Sequence, residues 1–91
     1  MAIISALHKI DGDNVAGALH AALAELHNAD DGKFILDFSS VRRVDPAALA
    51  ALEQLATEAD ARAVRLVLSG VCVEVYKVLK LARLAARFTF R

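Results

Sequence analysis

Two short runs do most to fix the architecture open to this chain. Phe34 to Phe38 (FILDF) and Val64 to Ser69 (VRLVLS) are nearly continuous apolar stretches, each bounded by turn residues. A strand with one wet face alternates apolar and polar residues. A continuous apolar run reads instead as a strand covered on both faces, as in a parallel sheet. Parallel neighbours need a crossover connection, usually a helix. The sequence supplies one before the second run, where Leu49, Leu52, Leu55, Ala56 and Ala59 form one helical stripe, and another before the first, where Val15, Leu19, Ala22, Leu23 and Leu26 do the same. Ile3 to Ile10 (IISALHKI) is apolar enough for an opening strand. From Val71 onward two periods overlap. Val71, Val73 and Val75 alternate as in a strand, while Val71, Val75, Val78, Leu79 and Ala82 repeat as in a helix. The segment is too long for one strand here, so a helix is expected from about Val73 to Leu84. Phe88-Thr89-Phe90 is expected to be a short terminal strand or a docked tail. The expected fold is therefore α/β: a mainly parallel sheet of about four strands, in β-α-β-α-β-α order, with helices packed on it and right-handed crossovers.

The helix ends carry their own signals. Asp11-Gly12-Asp13-Asn14 is a turn cluster in which Asp13 or Asn14 can cap the first helix. Gly17 lowers that helix's propensity and marks a place for close packing. Asn28 to Gly32 (NADDG) ends it. Asp45-Pro46 opens the second helix: Asp45 suits the N-cap, and Pro46 suits the first helical position, where an amide hydrogen is not needed.

Length and composition exclude several classes of protein. The chain has 91 residues, enough for one domain over 1–91, and 57% are hydrophobic, with a mean hydropathy of +0.44. That is not a disordered tail. Nineteen alanines favour closely packed helices. Lys9, Asp37, Arg65 and Lys77 interrupt every apolar run before it reaches the ~18 residues of a membrane span. The opening MAIISALHKI lacks the basic region and long apolar stretch of a signal peptide, so a cytoplasmic location is expected. One cysteine, Cys72, excludes an internal disulfide or a multi-cysteine zinc site. Net charge is zero, which argues against a general nucleic-acid binder, but residues 1–60 carry −6 and residues 61–91 carry +6.

In a parallel α/β sheet the loops after the strands gather at one edge, the usual place for a site. Those loops are Ser39 to Asp45 and Ser69 to Cys72. No cofactor is implied there, because the chain lacks a glycine-rich phosphate loop and any Ser-His-Asp or Cys-His order. Asp37 and Asp45 supply fewer oxygens than a hard cation wants, so Asp45 is expected to cap a helix and Asp37 to hold loop amides. His20 and His27 lie two helical turns apart, about 10.5 Å, too far to share a metal ion. Cys72, between two valines, is expected to be a buried small hydrophobe.

From Phe34 to Leu84 the order and spacing of these motifs resemble a STAS domain, the fold of bacterial anti-sigma-factor antagonists and of sulfate-transporter tails. The residues that carry the resemblance are the strand Phe34 to Phe38, the small-residue loop Ser39-Ser40, and Val44-Asp45 opening a helix. The strand Val64 to Gly70 and the helix around Glu74 to Leu81 (EVYKVLKL) complete it. The first third matches only in strand–helix order, as if an early strand of the family were missing; an unpaired sheet edge there would invite homodimerisation. In family members that act as switches, a partner kinase phosphorylates a Ser or Thr just after the helix-opening Asp. This chain reads Asp45-Pro46-Ala47-Ala48, with no hydroxyl to accept a phosphoryl group. The resemblance thus implies a non-catalytic interaction module in a bacterial signalling system that is not phosphorylatable at the family position. Its implied partner is a protein such as an anti-sigma factor with a kinase-type ATPase fold. The alternative is the small cytosolic STAS subunit of a lipid ABC transporter or an anion-transport system. The expected partner-binding residues are Ser39, Ser40, Arg42, Arg43, Asp45, Pro46, Ala47 and Ala48. Arg42 and Arg43 supply guanidinium groups for partner carboxylates. Ser39 and Ser40 lie on the same edge and carry hydroxyls, which in such loops more often satisfy backbone groups.

Overall fold

A computed structural model describes residues 5–26 and 32–91. The expected strand start at Ile3, the helix-ending turn apart from Gly32, and His27 lie outside the described residues. The observed order is β1 (Ser5–Lys9), α1 (Val15–Leu26), β2 (Gly32–Asp37), α2 (Pro46–Arg62), β3 (Val64–Ser69), α3 (Val73–Leu81), a single 3-10 turn (Ala85–Arg87) and β4 (Thr89–Phe90). The four strands form one parallel sheet in the order β1-β2-β3-β4. Every crossover steps the same way across the sheet. Right-handed connections then bring all the helices to one face.

The packing shows that face. Phe34, Leu36, Val64, Leu66 and Leu68 share one core with Leu19, Ala22 and Leu26 of α1, six residues of α2 from Ala48 to Ala59, and Val75 and Leu79 of α3. Ile35 and Val67 are register partners on the other face and are buried as well. Burial on both faces is the physical origin of the continuous apolar runs. Arg65 and Lys33, also register partners, are exposed near the N-terminal ends of their strands.

The helix ends explain the boundaries. Asn14 caps α1, its side-chain oxygen accepting from the Gly17 amide at 3.3 Å. A Cβ on Gly17 would meet that same Asn14 side chain, so the glycine makes room for the cap rather than for a neighbouring element. α2 ends at Ala63, whose left-handed φ of 57° is unusual without glycine. α3 stops at Leu81, short of the expected Leu84. Arg83 adopts φ 62°, its amide donates to Lys80 O at 3.1 Å, and the Leu84 amide donates to Leu79 O at 2.8 Å. This is a Schellman ending, in which the residue after the left-handed turn packs back on the helix it terminates. Leu84 therefore keeps the apolar rhythm of α3 without belonging to it.

Candidate functional site

The C-terminal ends of the strands bring three loops together. The Phe38 amide donates to Ser69 O at 2.7 Å, and the Ile10 amide donates to Asp37 O at 3.0 Å, so each loop leaves the sheet tied to its neighbour. Gly12 of the first loop lies against the Ser40 carbonyl, where any Cβ would collide with backbone. Gly70, at φ 72°, packs on Ser39, with a Cβ position 3.1 Å from that side chain. The Cys72 thiol donates to Val41 O at 3.6 Å and is half-buried rather than buried. It ties the third loop to the second.

The carboxylates do local work. Asp37 accepts from the Ser39 amide at 3.0 Å. That amide and then the Ser39 hydroxyl hold the Asp37 carboxyl below its ordinary pKa; burial opposes them more weakly, and the charge of Lys9 adds the least. Asp45 caps α2, its Oδ1 accepting from the Ala48 amide at 2.8 Å, while Leu49 donates to Asp45 O at 2.9 Å. With Pro46 at the first helical position, the Ala47 amide is the one first-turn donor left over. Of the first-turn positions that would grip an anion, Pro46 has no amide hydrogen and the Ala48 amide is already taken by a carboxylate.

Ser39, Ser40, Arg42, Arg43, Asp45, Pro46 and Ala47 are all exposed on this corner. Ala48 is not: its side chain is fully buried in the core, and its amide is taken by Asp45. It is corrected from a surface contact to a packing residue; the outward alanines at the start of this helix are Ala47 and Ala50. Arg42 and Arg43 sit between buried Val41 and half-buried Val44. Among the described residues neither arginine pairs with a carboxylate. They line a shallow groove with Ser40, Asp11, Gly12 and Asp13. The first-loop residues read in the sequence only as turn formers; parallel pairing of β1 with β2 is what carries them to this corner. His20 is exposed on α1 and His8 half-buried near the Phe34 ring, both apart from it. Among the described residues no three His, Cys, Asp or Glu side chains are grouped to hold a metal ion.

A four-stranded parallel sheet with three helices among the described residues, carrying its exposed corner where the second strand hands over to a capped helix, defines a small α/β domain. The chain belongs to the STAS family: residues 9–89 match the family model described as "Mlab, STAS domain". Its fold is similar to that of a Thermotoga maritima protein described as an anti-sigma factor antagonist, at a TM-score of 0.76 and 17% identity over 98% of this chain and 81% of that one. It is equally similar, at a TM-score of 0.76 and 23% identity, to a sulfate transporter family protein from Wolinella succinogenes, over 99% of this chain and 80% of that one. No curated protein sequence matches the chain.

Proposed function

We propose that residues 1–91 form a single, non-catalytic docking domain that holds a protein partner at the corner running from Ser39 to Ala47. The observation that carries this reading is the composition of that corner. It presents two guanidinium groups, without a carboxylate partner among the described residues, beside a helix start whose family switch position holds Pro46 and Ala47, neither of which can take a phosphoryl group. STAS domains are in general non-catalytic and interact with proteins such as kinases or transporters. Asp11 and Asp13 border the same groove as Arg42 and Arg43. A surface of mixed sign suits a protein partner better than a polyanion, because each charge can be matched and each wrong partner repelled. The bacterial, cytoplasmic signalling role, as a constitutive antagonist of an anti-sigma factor with a kinase-type ATPase fold, belongs to this proposal. So does a homodimer through the outer edge of β1, which a clean monomer in light scattering at high concentration would remove.

A transport role is the second reading, favoured by the sulfate transporter family neighbour. There the same corner would dock on a cytosolic transporter subunit. No helix among the described residues is long and apolar enough to cross a membrane. Capture of binding proteins from native cells, identified by mass spectrometry, separates the two readings. Arg42→Glu with Arg43→Glu should abolish capture while leaving the fold intact; undiminished capture would take these residues out of the interface.

A further inference from the structure

The large apolar side chains exposed among the described residues all lie on α3. Val73 is 64% exposed, Tyr76 41% and Leu81 86%. Val73, Lys77 and Leu81 follow at intervals of four and make the outward crest of the helix, about 12 Å long at 1.5 Å per residue. Val75 and Leu79 face the core instead. Lys77, Lys80 and Arg83 interleave with the apolar crest, and all three are exposed. None has a carboxylate partner among the described residues; Arg87, by contrast, is paired with Asp60 at 3.0 Å. Glu74 is the only acid from residue 61 onward.

We propose that α3 is a membrane-surface contact, with the Val73–Leu81 crest entering the headgroup region of an anionic bilayer and Lys77, Lys80 and Arg83 meeting lipid phosphates. The charge complementarity is one-sided: Lys77 within the crest and Lys80 and Arg83 beside it meet no carboxylate among the described residues. Leu81, at the end of the crest, stands almost wholly in solvent, while Val73, at its start, borders an apolar groove with Tyr76 and Phe90. Interfacial binding of this kind adds buried apolar area to attraction for anionic lipid. This inference uses residues separate from the Ser39–Ala47 corner and does not rest on the partner reading.

The test is sedimentation of the full chain with vesicles of pure phosphatidylcholine and of phosphatidylcholine mixed with phosphatidylglycerol, at low and high salt. Binding is expected only to the mixed vesicles and should fall as salt rises. Each cation removed should lower partitioning about fivefold, so Lys77→Gln, Lys80→Gln and Arg83→Gly together should lower it roughly a hundredfold. Leu81→Ser should lower it by about tenfold or more and, since Leu81 is 86% exposed, should leave the melting curve nearly unchanged. Arg42→Glu with Arg43→Glu should bind vesicles much as the wild type does. No binding to the mixed vesicles, or binding insensitive to the α3 variants, would overturn the proposal. So would α3 variants that lose a captured protein while the wild type ignores vesicles, which would assign the crest to a protein interface.

Discussion

Asp45 is the residue at which the fold and the candidate site meet, and replacing it separates two effects. In Asp45→Ala the 2.8 Å bond to the Ala48 amide disappears. Pro46 offers no hydrogen and the cap serves the third helical residue, so its removal leaves two first-turn amides to water instead of one. Loss of an N-cap side chain costs about 1 kcal/mol, up to about 2. Loss of a carboxylate from the positive end of a 17-residue helix adds about 0.3–1 kcal/mol at low salt. The expected total is about 1–3 kcal/mol, lowering Tm by roughly 4–8 °C per kcal/mol for a domain of this size. Asp45→Asn keeps the acceptor and gives up only the charge, so it should cost less than about 1 kcal/mol. Urea unfolding followed by far-UV circular dichroism measures both, with an unchanged m-value showing that the transition is the same. If Asp45→Ala lies within about 0.3 kcal/mol of the wild type, or Asp45→Asn is as costly as Asp45→Ala, the capping argument is wrong. Because Asp45→Asn preserves the fold, any partner capture it loses reports on the carboxylate as a contact.

Three further outcomes follow from the geometry. Ala63→Gly relieves the left-handed backbone at the end of α2 and should stabilise the protein by about 1 kcal/mol in the same assay. Gly12→Ala places a methyl against the Ser40 carbonyl and should destabilise by about 1–3 kcal/mol while shifting loop resonances at Ser39 to Arg43 in an amide NMR spectrum; a silent spectrum would mean the loops are not in contact. Asp37 has a depressed pKa in the folded state, so its contribution to stability is complete above the unfolded carboxyl's titration range and disappears as pH falls through the lower folded value. The stability gap between wild type and Asp37→Asn should therefore close on acidification, and a gap that widens would contradict the assigned hydrogen bonds.

Much of this architecture could be read before any coordinates. The runs at Phe34 and Val64 announced two-sided burial, and Asp45-Pro46 marked the start of α2 to the residue. The end of α3 could not be read, because Arg83 takes the turn that glycine usually signals and Leu84 continues the apolar rhythm from outside the helix. Ala48 was misplaced for a similar reason. Alanines at 47, 48, 50 and 51 look alike in sequence, and only the helix rotation set by the cap decides that 48 and 51 turn inward. The approach of Asp11 and Asp13 to Arg42 and Arg43 depends on strand register, which short-range patterns do not encode.

Val41 is anchored in the core and Val44 packs against it, so the peptide carrying Arg42 and Arg43 is suspended between two apolar pegs. Its main chain is already fixed before any encounter, and the freedom surrendered on docking is confined to two long side chains. A complex formed there would owe its speed to long-range attraction and respond to ionic strength chiefly through its association rate.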